Sequence, residues 1–446
     1  MATYLSRTQS SSNQKIFTIS TWVKRANITD INYVTNIAAS GQSRIGIIFQ
    51  TNKLMFYGVD GGGDSIYLAT SALFRDTSAF YHITVAVDTT QATASDRAKL
   101  YVNGTRVTAF AAENYCTQNF DFPTNNPHYV GCYLSSNQLY NFYGVMSHYH
   151  YCDGYAYDAS TFGESDSVSG IWKPKTAPSV TYGTNGFFLK FENSGAMGTD
   201  SSGNGNNFTV SGTLTQNVDT PSNNFTAWNV IMNNKEDGNW SNANLTIAPN
   251  GDDTYLYAPI TFGLSAGKWY SEHMITGGNG YGMLGAISED IISDGFRQQT
   301  GMGSLSNSFA FRCRDGDIRM SSSNQSYGSA PGTSDAILGM ALDMDNKKVW
   351  YHINGTYVTY GGGVGNPASG TYGWDFSSLS GDTFFITCGD DTSGGYGNFK
   401  SNFGSGYFGT TAVASSNADG AGQGSFEYSV PSGFYSICTK NIKDYG

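Results

Sequence analysis

The sequence predicts an all-β protein made of two tandem antiparallel β-sandwiches, and three observations carry that prediction. Aromatic residues make up 14% of the 446 residues and charged residues only 13%. Phe and Tyr suit pleated, half-buried surfaces, whereas long amphipathic helices need more charge than this. The chain also holds 55 glycines, which with Asn, Ser and Asp interrupt short strand-like runs almost everywhere. Finally, "KLYVNGTRVTAF" (residues 99–110) and "KVWYHINGTYVTYG" (348–361) are near-copies, each an Asn-Gly pair between two alternating runs. Asn-Gly is the strongest short hairpin signal, because both residues tolerate the positive φ of a type I′ turn. One such hairpin in each half points to two sandwiches of related design.

The elements follow in chain order. "FTISTWVKR" (17–25) alternates imperfectly, with Phe17, Ile19, Trp22 and Val23 as its apolar members. "SRIGIIFQ" and "KLMFYGVD" are two strands parted by Thr51-Asn52, and "AFYHITVAVDTT" (79–90) is a longer one. A polar loop (91–97) leads into the first Asn-Gly hairpin. "HYVGCYL", "YGVMSHYHYCDG" and "GFFLKFENS" supply the remaining strands of the first half. Residues 200–224 are poor in apolar side chains and rich in turn formers, which marks a boundary. The expected domains are 1–217 and 218–446. The second half restarts with "GKWYSEHMI", "GYGMLGAIS" and "SFAFRCRDGDIRMS", where Arg314-Asp315-Gly316-Asp317 reads as another tight hairpin. "DAILGMALDMDNKKVWYHINGTYVTYG" and "DTFFITCGD" follow, then one more strand pair and a low-complexity loop. Trp22, Trp269 and Trp350 lie in strand contexts and are expected in the core.

A formal charge of −11 and no Lys/Arg run argue against a nucleic-acid partner. No apolar run reaches bilayer length, so no membrane span is expected. The opening "MATYLSRTQSSSNQ" lacks the apolar centre of a secretory signal. The six cysteines (Cys116, Cys132, Cys152, Cys313, Cys388 and Cys438) show no CxxC spacing and are expected as thiols. The sequons at Asn103 and Asn354 are read as turns.

Several segments resemble the laminin-G-like, concanavalin A-like jelly-roll module, in the version found in virion proteins of marine and cyanobacterial phages. They are "FTISTWVKR", "FYHITVAVDTTQATASDRAKLYVNGTRV", "HYVGCYL", "YGVMSHYHYCDGYAYDASTFGESDSVSGIWKPK" and "DSSGNGNNF". The second half is similar to a SPRY domain, through "GKWY" with Glu272, "LGA" (284–286), "ILGMALD" (337–343), the Asn354-Gly355 hairpin and "NFG" (402–404). The resemblance implies a bacteriophage virion surface protein, on head or tail. Its implied role is recognition: a tail-fibre-like or decoration protein contacting host surface glycans. Other virion proteins and a homo-oligomer are the implied partners. The rival is a purely structural decoration or cement protein; a glycan depolymerase is a third reading. The sandwich is expected to start within a few residues of Met1, and the sequence shows no coiled coil or β-helix of the kind that trimerises long fibres, which favours the rival.

The sequence offers no catalytic residue. Retaining glycosidases need two carboxylates about 5 Å apart, and concanavalin-like glucanases carry them as Glu-x-Asp-x-x-Glu on one strand. Here Glu164-Ser165-Asp166 lies in a predicted loop, and Glu272 has no partner two or five residues on. His148, His150 and Cys152 alternate along one strand and could approach a metal with Asp153. Tyr149 and Tyr151 face the core in the resembling module, which leaves that row on a flat outer face, so no metal is assigned. Asp60 to Asp64, Asp315 with Asp317, and Asp200 with Asn204 are candidate calcium loops, but none completes a ligand pattern; Asx turns account for them, and no cofactor is assigned. The candidate ligand-binding residues are loop aromatics: Tyr140, Tyr143, Tyr155, Tyr327, Tyr372 and Trp374. Tyr offers a rigid apolar face and a polar tip, suited to sugar stacking or a wet protein interface.

Overall fold

The computed structural model describes residues 3–28, 31–40, 42–61, 63–134, 139–167, 170–232, 239–248, 256–276, 280–293, 301–331, 334–390 and 397–446. The chain divides into two compact units, Met1–Gln216 and Asn217–Gly446. Each is a sandwich of two large sheets, as the composition and hairpins predict. Helix is confined to Glu289–Ser293, Thr439–Tyr445 and two short 3-10 turns among the described residues.

In the first unit, one sheet of eight strands runs from the edge strand Phe110–Asn114 through Gly63–Leu73, Lys53–Asp60, Ser43–Gln50, Asn32–Ser40, His128–Val130 and Tyr4–Arg7 to Thr209–Ser211. The facing sheet orders Phe187–Leu189, Gly144–Asp153, Ile16–Arg25, Tyr81–Asp88, Ala98–Val102 and Thr105–Arg106. Between them lie Phe17, Ile19, Val23, Ile47, Phe49, Phe56, Val85, Tyr149 and Tyr151, all buried. Alternation explains the selection: residues two apart share a face, so Tyr149 and Tyr151 point inward together. The first and last strands are neighbours, with Leu5 opposite Val210, so the turn-rich boundary segment contains a strand, Thr209–Ser211.

The second unit repeats the plan. Its larger sheet centres on Lys268–Thr276, flanked by Ser334–Asp343 and Asn398–Asn402, with Lys348–Ile353 beyond. Its smaller sheet centres on Phe384–Asp390, Gly282–Ser288 and Ser308–Arg312. Trp269, Ile275, Leu284, Phe309, Leu338, Tyr351 and Ile386 fill the space between. An isolated bridge joins Phe225 to Cys438, so this unit also begins and ends in one place.

Imperfect alternation has a structural cause. Nine consecutive residues of Ile16–Arg25 are buried, because later segments cover the outer face of the sheet as well. Trp22 is therefore buried but not between the sheets: it stacks on His82 at 4.5 Å, beneath Trp172. Trp350 likewise belongs to an outer cluster with Tyr270, Phe426 and Phe434. Of the three strand tryptophans, Trp269 alone sits in the main core. All six cysteines are buried, with no disulfide between them.

Both Asn-Gly pairs form type I′ turns, with φ of 48° and 81° at Asn103-Gly104 and 49° and 82° at Asn354-Gly355. The two asparagines do the same second task. Asn103 Oδ1 accepts the His82 N–H at 2.8 Å, and Asn354 Oδ1 accepts the Ile337 N–H at 2.8 Å. Each glycine is roofed by a ring from a later segment. A Cβ on Gly104 would lie 2.8 Å from Trp172, and one on Gly355 would lie 2.6 Å from Tyr428. The Arg314–Asp317 stretch turns as expected, Arg312 N–H donating to Asp317 C=O at 2.9 Å.

Candidate functional site

The six aromatics marked by the sequence do not form one site. Tyr143, Tyr155 and Tyr372 are 46%, 40% and 46% exposed, whereas Tyr327 and Trp374 are each 3% exposed. Those last two correct the sequence reading. Trp374 opens a short strand opposite Val349, and Tyr327 packs on Tyr351 and Trp374 at 6.0 Å while its hydroxyl accepts the Tyr351 N–H. Polar, glycine-rich surroundings made both look like loop residues, but a distant strand buries them.

Tyr140 is half-buried in a tyrosine stack on the outer face of the eight-stranded sheet. Its ring lies 5.8 Å from Tyr33 and 6.3 Å from Tyr133. The Arg44 guanidinium sits 5.6 Å from the rings of Tyr57 and Tyr133 and donates to Tyr57 Oη at 3.3 Å. This cluster escaped the sequence reading. Its signal was there: Met55, Tyr57 and Val59 are apolar on the face opposite to core residues Leu54 and Phe56, which marks a strand buried on both sides.

Tyr155 is paired with a residue the sequence reading passed over. Its ring stacks on Tyr157 at 5.8 Å with an interplanar angle of 8°. Thr18 fixes the backbone between them, its hydroxyl donating to Tyr155 C=O at 2.7 Å and accepting the Tyr157 N–H at 2.8 Å. Tyr157 Oη accepts the Thr181 N–H at 3.0 Å. The pair is a flat, anchored aromatic surface with one open ring.

The carboxylates are engaged otherwise. Lys173 bridges Glu164 at 3.9 Å and Asp166 at 3.0 Å. Glu272 is fully buried and accepts the backbone N–H groups of Glu427 at 2.9 Å and Tyr428 at 2.8 Å. Tyr270 Oη lies 3.0 Å from Glu272 and 2.7 Å from His352 Nε2. Because His352 Nδ1 accepts the Gly355 N–H at 3.1 Å, Nε2 carries the proton and the chain runs imidazole to phenol to carboxylate. Burial pushes Glu272 up to about 7, against the N–H donors of Tyr428 and Glu427, which hold it down. Glu272 thus fastens the C-terminal segment over the Asn354-Gly355 hairpin.

The histidine row is not a flat exposed face. His148 sits at a bulge with φ of 49°, and His150 lies under Phe188 at 3.9 Å, hydrogen-bonded to Tyr182 Oη at 2.9 Å. Cys152 is fully buried. Asp153 accepts the N–H groups of Asn13 and Asn185 at 2.7 and 3.0 Å. Among the described residues no group of three His, Cys, Asp or Glu side chains is arranged to hold a metal. Asp200 accepts four donors, from Phe188, Ser202 (N–H and hydroxyl) and Asn206, at 2.8–2.9 Å, while Asn204 donates to the carbonyls of Gly183 and Gly186. Asp315 accepts the Asp317 N–H and faces Arg312 at 3.1 Å. The side chain of Asp64, and Gly62 beside it, lie outside the described residues.

Residues 2–153 match the Laminin G 3 family of the Concanavalin A-like lectin/glucanases superfamily. Among curated proteins, none matches the chain by sequence. Similar solved structures include the SPRY domain of human HERC1, 12% identical over 39% of this chain and 96% of that one, with a TM-score of 0.28. A candidate carbohydrate-binding protein from Bacteroides ovatus is 14% identical over 48% of this chain and 56% of that one, with a TM-score of 0.32. A heptameric SAP-like pentraxin from Limulus polyphemus is 13% identical over 48% and 89%, with a TM-score of 0.31.

Proposed function

We propose that the protein is a non-enzymatic glycan-recognition protein of a bacteriophage particle surface, a tail-fibre-like or decoration component. The observation that carries the glycan part is the Tyr155–Tyr157 pair, an anchored and open aromatic surface directly after residues 2–153, which match the Concanavalin A-like lectin/glucanases superfamily. The apolar face of a pyranose ring stacks on such a surface, and the phenolic tips hydrogen-bond its hydroxyls. The non-enzymatic part is supported by the carboxylates themselves. Glu272 is buried and saturated with donors, and Glu164 shares Lys173 with Asp166. The particle setting is supported by the segments that resemble phage laminin-G-like modules.

A glycan array probed with the full chain on multivalent beads tests the reading. Binding of a defined set of host-envelope glycans, without release of reducing ends, is the expected result. A blank array, with particles that lose heat resistance when the protein is removed, decides for a purely structural decoration instead.

A further inference from the structure

Tyr372 is held in a strained backbone conformation by the packing of its two neighbours. Its φ is 56°, a left-handed conformation that costs a non-glycine residue and that structures keep where surroundings impose it. Both neighbours impose it here. Thr371 is clamped to Asn366 by reciprocal backbone hydrogen bonds of 3.0 and 3.1 Å, and its carbonyl accepts the Trp350 indole N–H at 2.8 Å. Gly373 lies so close under Trp350 that a Cβ would sit 2.4 Å from the indole ring. Caught between them, Tyr372 is thrown outward across the hairpin Thr359–Tyr360 and Gly363–Val364. Its ring lies against Gly363, where a Cβ would come within 2.4 Å of it. One ring face therefore rests on a glycine ribbon and the other meets solvent, with 46% of the residue exposed.

The polar surroundings complete the picture. Asn366, Ser369 and Thr371 are exposed around the same turn, with Ser369 Oγ 2.9 Å from Thr371 Oγ1. Asn366 spends its side-chain oxygen on the Ser369 N–H, and the residue is exposed. Lys348 donates to Gly370 C=O at 3.3 Å and lies opposite Asp375.

We infer that Tyr372, with Asn366, Ser369 and Thr371, forms a second carbohydrate subsite, in the second unit, that takes a neutral hexose. The ring stacks on the C–H face of the sugar; the amide and the hydroxyl pair hydrogen-bond its equatorial hydroxyls. Glycines beneath the ring let it lie flat without a side chain lifting it, which fixes the platform before the ligand arrives. Lys348 spends its ammonium on Gly370 C=O and lies opposite Asp375, so the groups left to face a ligand on the platform are neutral.

The inference rests on the glycan reading above, and the test separates the two. The full chain, on multivalent beads, is offered immobilised mannan, dextran and galactan, with alginate as the anionic contrast. Wild type is expected to bind at least one neutral polymer and Tyr372→Ala to bind it about tenfold more weakly, the factor one stacking contact supplies. Tyr372→Phe should bind nearly as wild type. Gly363→Ala, which displaces the ring without deleting it, should weaken binding at unchanged thermal stability. Equal binding by wild type and Tyr372→Ala overturns this subsite and leaves the glycan reading standing, as does binding to alginate alone. Failure of wild type to bind any polymer, with a blank array, overturns both.

Discussion

In the first unit the Asn-Gly turn is roofed by Trp172, whose indole N–H donates to His82 Nδ1 at 2.9 Å. In the second the roof is Tyr428, whose backbone N–H donates to the buried Glu272 carboxylate, itself tied through Tyr270 to His352 beneath the turn. The turns agree to within a degree or so in φ, and each asparagine bridges to its neighbour strand. The roofs share only their shape. A type I′ turn is fixed by two residues and survives repetition, whereas a roof must come from far along the chain and can be attached by any chemistry that satisfies its buried polar groups. Here one attachment ends on a histidine that burial keeps neutral and the other on a carboxyl that burial pushes up, so the two respond to pH with opposite sign.

The largest test of that difference is pH. In the first unit, burial lowers His82 and His128 from 6.5 to about 3. A histidine that takes its proton near pH 3 when folded and 6.5 when unfolded costs nothing above pH 6.5, and stability is lost as pH falls below it. The slope approaches about 1.4 kcal/mol per pH unit for each such group. The second unit has His273 at about 3 and His352 at about 4, but Glu272 acts oppositely. Its folded carboxyl protonates near 7 against 4.5 unfolded, so it adds stability as pH falls through that window. Urea unfolding read by hydrogen exchange at pH 6.5, 5.5 and 4.5 should therefore show the first unit weakening faster. In Glu272→Gln the second unit should lose its compensation and follow. Parallel slopes in wild type would break the comparison.

Next in size are the roofs. Gly104→Val and Gly355→Val combine backbone strain with a collision against a ring, about 4 kcal/mol each. Gly205→Val, at φ of 74° with nothing within 4 Å, carries the strain alone, about 1–2 kcal/mol. Equal losses at all three positions in urea would show that the roofs yield freely.

Smaller effects sharpen the attachments. At pH 8, Glu272→Gln should cost about 2 kcal/mol, because an amide turns an NH2 group toward one of two backbone donors. Trp172→Phe removes one neutral donor and should cost about 1 kcal/mol. The smallest difference is expected at the turns themselves: Asn103→Gly and Asn354→Gly should each cost about 1 kcal/mol and match within error. A clear inequality in thermal melting would mean that the turns are not equivalent after all.

What the sequence revealed follows the same division. The turns, strand faces and all-β class are short-range properties, readable from Asn103-Gly104 or from Tyr149 and Tyr151 two apart. The covers are not. Nothing near Glu272 announces donors 155 residues on, and nothing near Tyr327 or Trp374 announces the strand that buries them. Trp22 and Trp350 were legible as buried, but the layer that buries each comes from a remote segment. The bulge at His148 was invisible for a related reason, since an inserted residue shifts register without changing composition. For the candidate site, Tyr155 and Tyr372 are marked by their surroundings, while the stacking of Tyr157 and the strained backbone of Tyr372 arise only from contacts in the folded chain.

The pairing of Leu5 with Val210, and of Phe225 with Cys438, has a consequence for heredity. Each unit enters and leaves at one point, and the strands of every sheet come from a single unit. A stretch of gene encoding either one can be copied, swapped or spliced into another reading frame without stranding half of a β-ladder. Recombination could then exchange one whole unit for another in a single event, with every β-ladder of the exchanged unit kept intact.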